Sequence, residues 1–436
     1  MSTEKQALSG GAVQYVEASH AVPLVSIAIS FRIGSTSDPA GKDGVTRLMA
    51  RMIRRGCPGL TSQQVDAEID RLGAEMAVDV SASHLMLHTQ VIKRSLSAWV
   101  DLLVRLLGAP TFAEDELARL RRETAAEIIE ARDSDRTLAQ LAFRRAVFAG
   151  HPYARSAVGT TRSVESITVA DVRAAFERTC TRGNLVLGFA GDVTTEEATR
   201  LGERLNAALK EGAAHTDDVS EPVQPTGRRL VFVDKPERTQ TQIILGSLGT
   251  WPHDADHTPF SVACAVLGGT FTSRLMREVR SKRGWSYGAY ARLAIERHRQ
   301  SFSMWTFPAA TDAPACLELE LAMLTDFVAK GVTPRETAFM KKYLTRSHAF
   351  DIDTATKRLH QALDVELLGL PADYYDGYVG HVEAVTADLA NASIPVRLSP
   401  ANLRIVVVGT QADLLEKLKE KVPDLEQVDV VPFDAE

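Results

Sequence analysis

The chain has 436 residues, of which 45% are hydrophobic and 24% charged, and its formal net charge is -6. That length exceeds one ordinary hydrophobic core and predicts two or more domains, while the mild acidity excludes a broad basic surface for nucleic acid or anionic lipid. Cys57, Cys180, Cys264 and Cys316 lie far apart with no C-x-x-C spacing, so reduced, buried thiols are expected and not a disulfide framework.

No run of about eighteen apolar residues occurs, so no membrane partner is expected. Residues 1–11 lack the charged and then apolar regions of a signal peptide. The reading is a cytoplasmic chain, or a periplasmic one if an export signal has been removed. The first strong strand covers residues 22–31, followed by a Gly/Ser/Asp-rich loop. A helix is predicted over 42–55, because Val45, Leu48, Met49, Met52 and Ile53 recur at i, i+3, i+4, i+7 and i+8. Apolar and polar residues alternate over 77–91, as in strands. His84 and His88 lie in that stretch. At about 3.3 Å per residue they stand roughly 13 Å apart, too far to share one ion, so a sheet-surface role is expected. A long helix follows over 114–131, and His151-Pro152-Tyr153 reads as a helix-stopping turn.

Residues 183–193 read as a buried strand entering a glycine turn, with a helix over 196–209 behind it. Residues 401–410 repeat that arrangement with a helix over 412–421, and residues 239–246 repeat the opening strand. The offset between the copies is roughly 216 to 218 residues, which argues for a tandem pair of domains and not a short-repeat solenoid. Residues 215–227 are rich in Asp, Pro, Thr and Ser and read as the linker. The predicted division is 1–215, a linker over 216–227, and 228–436. Strands mixed with long helices give an α+β class, each domain a mostly antiparallel sheet covered by helices on one face.

The most informative stretch is 268–287. A glycine pair breaks one element, Thr272 or Ser273 can cap a new helix, and Leu275, Met276 and Val279 form its apolar stripe. Basic residues crowd the last turn, where they complement the helix dipole, and Gly284 is placed to end it. The chain contains neither a G-x-S-x-G nucleophile elbow nor a P-loop, so serine-hydrolase and nucleotide readings have no support.

Arg280 and Tyr287, seven residues apart, resemble the arginine–tyrosine substrate-binding pair of the insulinase/pitrilysin family of inverted-motif zinc peptidases. The runs His151-Pro152-Tyr153, Val158-Gly159-Thr160 and Ile167 to Val172 are similar to that family's first domain. In the family, the helix equivalent to 42–55 carries H-x-x-E-H: two histidines bind zinc and the glutamate activates the metal-bound water. Aligned by the following Arg-Arg-Gly, the motif falls on Arg47-Leu48-Met49-Ala50-Arg51. Arginine offers no lone pair, and Ala50 has no proton acceptor. The third ligand corresponds to Glu127, for which an ion pair with Arg47 or Arg51 is expected instead.

The resemblance implies a non-catalytic, substrate-binding subunit of a heterodimeric zinc metallopeptidase, inactive alone and without a cofactor of its own. Its partner would be a homologue carrying H-x-x-E-H and the zinc, and the ligand a peptide. Tyr287 would donate to the carbonyl oxygen that develops charge, and Arg280 would donate to peptide carbonyls. The alternative is a structural scaffold of the same fold, as in respiratory-complex core proteins, in which the pair is incidental. A neighbouring reading frame for an H-x-x-E-H homologue favours the first, co-purification with membrane-complex subunits the second. An autonomous peptidase is disfavoured, since no other cluster has ligand spacing.

Overall fold

The computed structural model describes residues 3–436. The strands are β1 (Glu4–Ala7), β2 (Val13–Ala18), β3 (Leu24–Phe31), a small hairpin of β4 (Gly56–Cys57) and β5 (Leu60–Thr61), β6 (Ala74–Val80), β7 (Leu85–Ile92) and β8 (Leu185–Gly191). The second half supplies β9 (Arg228–Asp234), β10 (Gln242–Leu248), β11 (Ala289–Leu293), β12 (Ser301–Thr306), β13 (Arg404–Gly409) and β14 (Leu425–Pro432). They form two six-stranded sheets, ordered β1-β2-β8-β3-β7-β6 and β11-β12-β10-β13-β9-β14. The pairing repeats as well as the order. β2 runs parallel to β8 and β9 to β13, while β8-β3-β7-β6 and β13-β10-β12-β11 are antiparallel throughout. The duplication predicted from the repeated strand-to-glycine motifs is therefore a duplication of topology. The copies differ at one edge: β1 is antiparallel to β2, but β14 is parallel to β9.

One compact unit comprises residues 1–128, 155–219 and 349–372. Its core packs Phe31, Leu48, Met49, Trp99 and Phe189 between the sheet and the helices Val45–Met52, Leu96–Gly108 and Thr195–Ala207. The other unit comprises residues 129–154, 220–348 and 373–436. It buries Phe232, Phe260, Phe302 and Phe327 beneath helices that include Ala313–Lys330. Residues 211–226, which overlap the expected linker over 216–227 and start before it, form neither helix nor strand.

Each unit also takes one helix from the opposite half of the sequence. Ala355–Leu368 packs on β2 and β8, where Leu359, Leu363 and Leu367 meet Tyr15, Met86, Val186 and Ala190. Asp135–Val147 packs on β9, β10 and β13. The helices expected on one face are thus joined by one on the other, which explains the composition of the central strands. β8 and β13 read as continuous apolar runs because both of their faces are covered. Gly188 permits this approach, since a Cβ there would stand 3.0 Å from the methyls of Leu359 and Leu363.

Ion pairs anchor both exchanged helices. Arg358 donates to Glu17 at 2.8 Å, and Glu366 accepts from Lys5 at 2.8 Å, Arg32 at 2.5 Å and Tyr15 at 2.7 Å. In the second unit the Lys235 ammonium donates to Asp135 at 2.7 Å and to the Arg132 and Asp133 carbonyls. No helix among the described residues is long and apolar enough to cross a membrane.

Candidate functional site

The helix Val45–Met52 buries Val45, Leu48, Met49 and Met52, the predicted stripe, and continues as a tight turn over Ile53–Arg55. It begins later than the expected residue 42, because Gly44 adopts φ +94°, which helical geometry forbids. Its first turn is satisfied from a distance. The buried Asp38 carboxylate accepts from the Gly44 and Thr46 amides, at 2.8 and 3.2 Å, and from the Thr46 hydroxyl at 2.5 Å. Burial pushes the Asp38 carboxyl upward against these donors. Sequence reasoning missed this cap, since Asp38 lies well upstream of the helix it serves.

Arg47 and Arg51 project from this helix toward Glu114–Ala131. Arg47 reaches one oxygen of Glu127 at 2.9 Å and Arg51 the other at 3.0 Å. Arg51 also donates to the Thr124 hydroxyl at 3.0 Å and lies 3.6 Å from Glu123. Arg55 adds a pair with Glu123 at 3.3 Å. Arg47, Arg51 and Arg55 therefore form an i, i+4, i+8 row answered by Glu127 and Glu123, a pattern legible in the spacing but not drawn from it. Burial lowers the Arg51 pKa, and Glu127 opposes that shift. Ala50 is fully buried and presents only a methyl.

These residues do not fit a zinc ion. Two guanidiniums occupy the space that two imidazoles would need, and both oxygens of Glu127 are already engaged by cations. Among the described residues no group of three or more His, Cys, Asp or Glu is placed to hold a metal.

The second cluster is built on residues 265–287. The expected α-helix after Thr272 is replaced by wide turns: Ala265–Gly269 and Met276–Ser281 are both π-helical, a form that recurs at functional sites. The Lys282 amide donates to the Arg277 carbonyl five residues back, and Gly284 at φ +67° ends the segment. Ser273 precedes the first turn, but its buried hydroxyl finds no hydrogen-bond partner among the described residues.

The basic residues here do more than complement a dipole. Arg274 makes a bidentate pair with Glu336 at 2.8 and 2.7 Å, which with the Thr333 cap holds the Glu336 carboxyl down at about 2. Lys282 and Arg283 both pair with Glu278. Arg280 differs. Its guanidinium carbon lies 4.4 Å from the Phe271 ring centre and 4.3 Å from that of Tyr287, and among the described residues no acid pairs with it. Both rings are exposed, Tyr287 at 75%. The guanidinium thus packs against two aromatic rings, an arrangement that favours a cation without a paired carboxylate. Phe271 was not singled out in the sequence, although it lies within the motif.

The remaining candidates are structural. His84 contacts the Ser81 hydroxyl at 3.0 Å, and His88 stacks on His360 with ring centres 5.1 Å apart. His151 accepts from the Tyr153 amide and donates to the Ser220 carbonyl, fixing its turn.

Residues 15–161 match the family described as insulinase (peptidase family M16), and residues 166–344 match the peptidase M16 inactive domain. The chain belongs to the M16 insulinase family. A Helicobacter pylori relative named non-peptidase homolog YmxG is 23% identical over 399 residues, covering 91% of each chain. An uncharacterized zinc protease of Mycobacterium leprae is 25% identical over 77% of this chain and 75% of its own. Among solved structures, an M16 inactive domain from Pseudomonas fluorescens superimposes with a TM-score of 0.87 at 23% identity, over 94% of this chain and 98% of its own. The first half of the periplasmic protease PqqL of Escherichia coli gives 0.78 at 15% identity, with 97% of each covered. The M16 fold is thus shared with proteases, whereas this chain is a non-catalytic member. Its motif helix carries an ion-pair network where an M16 peptidase carries zinc ligands.

Proposed function

We propose that this chain is the substrate-binding subunit of a two-chain zinc metallopeptidase and completes the active site of an M16 partner that bears H-x-x-E-H. The observation that carries this reading is the Arg280 guanidinium, in contact with the exposed rings of Phe271 and Tyr287 and without a paired acid among the described residues. By contrast, the Arg274 donors are taken by Glu336. Arg280 keeps its donors open and preoriented, which lowers the ordering cost of binding. Tyr287 extends into solvent and can donate its phenolic hydrogen to a peptide carbonyl.

The zinc is expected in the partner, where it supplies Lewis-acid chemistry. This chain contributes the orientation of the peptide and a donor at the scissile carbonyl. Mixing it with its zinc-bearing homologue should create peptidase activity that neither shows alone. Tyr287→Phe should lower turnover by about 10²–10³-fold, because a donor to developing negative charge is lost. Arg280→Ala should mainly raise KM if its contact is equal in ground and transition states. Full activity with both changes, in a pair shown to assemble normally, would overturn the reading in favour of a scaffold.

A further inference from the structure

On the second sheet, the face opposite its core carries an aromatic ladder. Tyr290 of β11 stacks on its cross-strand neighbour Trp305 of β12 with ring centres 5.6 Å apart, and Phe307 lies 5.1 Å beyond. Three arginines surround the ladder. The Arg136 guanidinium sits 4.4 Å over Trp305, and Arg292 sits 5.3 Å from Tyr290. Arg144 and Arg292 line a cavity of about 200 Å³ beside Trp305, together with Gln140, Ser301 and Ser303. No aspartate or glutamate lines that cavity. None of the Arg136, Arg144 and Arg292 side chains makes an ion pair or hydrogen bond among the described residues, and the Arg144 Nε is buried without a partner. In a chain of net charge -6, three neighbouring unpaired guanidiniums are an unusual concentration of positive charge. Burial and the adjacent Arg145 both disfavour the charge on Arg144, a cost that an anion in the cavity would relieve.

We infer that this face binds an acidic peptide segment, whose side-chain carboxylates are taken by Arg136, Arg144 and Arg292 while its apolar parts lie on Tyr290 and Trp305. The choice of peptide rests on the substrate-binding reading above; the preference for acid rests on the arginines alone. Charge complementarity selects the ligand. Arginine pairs bidentately with planar carboxylates, and Gln140, Ser301 and Ser303 add neutral hydrogen-bonding groups suited to a peptide backbone. Stacked aromatics with arginines also occur in single-stranded nucleic-acid sites. Here, however, the cavity of about 200 Å³ is lined by polar groups suited to a peptide backbone and is small for a row of stacked bases. Gly288 links the strip to Tyr287 in the chain, and the Tyr290 ring lies close enough that a Cβ at Gly288 would stand 2.5 Å from it.

The test is fluorescence anisotropy with the full chain alone. The probes are a labelled peptide with glutamate at alternate positions, the same peptide with glutamine, and an oligothymidylate of matched charge. The glutamate peptide should bind about tenfold tighter than the glutamine peptide and weaken as salt rises. The double substitution Arg136→Gln with Arg292→Gln, both residues being exposed, should remove that preference without changing the circular dichroism spectrum. Equal binding of the two peptides, binding of neither, or tighter binding of the oligonucleotide would overturn the inference. The reconstitution experiment is separate. Partner activity without acidic preference sinks only this inference, and acidic preference without partner activity sinks only the subunit reading.

Discussion

At Glu127 one carboxylate answers two guanidiniums. Its two oxygens meet Arg47 and Arg51, which stand four residues apart on one helix face. The chain as it stands should therefore purify without stoichiometric zinc. The double substitution Arg47→His with Arg51→His puts two imidazoles opposite that carboxylate, a three-ligand set typical of zinc sites. It should take up about one zinc per chain by elemental analysis; a zinc-free double variant after metal loading would mean the helices no longer hold that geometry. Glu320 is a different case. It is fully buried beneath β12, accepts among the described residues only from the Thr306 hydroxyl at 3.1 Å, and is raised by burial to about 8. Folded, it keeps its proton up to about pH 8, whereas unfolded it loses it near the ordinary glutamate value. Between those values the native state binds more protons, so stability should fall as pH rises, by at most about 1.4 kcal/mol per pH unit. Urea unfolding at a series of pH values should show that slope, and Glu320→Gln should flatten it. An unchanged slope in the variant would assign the pH dependence to other groups.

Among the elements, the exchanged helices carry the most consequential polar contacts. The Glu17 side chain is almost wholly buried and faces Arg358. Arg358→Ala should destabilise the fold, because the buried Glu17 carboxylate, which keeps the Thr3 hydroxyl as a donor at 2.6 Å, loses its guanidinium. Pairing it with Glu17→Gln should recover part of that loss; equal loss in the single and double variants, measured by urea unfolding, would mean packing and not charge dominates. Neither exchange was legible in the sequence. The apolar periodicity of residues 355–368 states that a helix buries one face, but not which sheet receives it, since side-chain pattern carries no address. Central strands, the duplication and the helix over residues 45–52 were legible, because burial imposes period and repetition on the residues themselves. The two π-helical segments were not. Leu275, Met276 and Val279 suit an α-helix equally well, and only the tertiary setting favours the wider turns. At the candidate site, Arg280 and Tyr287 are recognisable as a motif, whereas Phe271 emerges only from its 4.4 Å contact with the guanidinium.

At the scale of the whole molecule, the two six-stranded sheets share a topology but differ in what their outer faces offer. The first sheet's outer face holds the apolar contacts of Leu359, Leu363 and Leu367 and the stacked pair His88 and His360. The second holds Arg136, Arg144 and Arg292 around Trp305. Duplication thus preserved the frame while the faces diverged. The helix exchange also bears on how such a chain can be made. During synthesis the first sheet emerges complete with β8, yet the helix that covers β2 and β8 ends only at Leu368. Until then its outer face must wait, apolar and open to chaperones or aggregation. Cleavage within residues 211–226 separates the two halves of the sequence but not the two folding units. Fragments 1–215 and 216–436 expressed singly should each be insoluble, and co-expression should return a soluble complex by trading the missing helices. Soluble, cooperatively melting single fragments would show that the exchange is dispensable. If they fail as expected, a gene for this fold cannot be split at its linker without both products remaining mutually dependent.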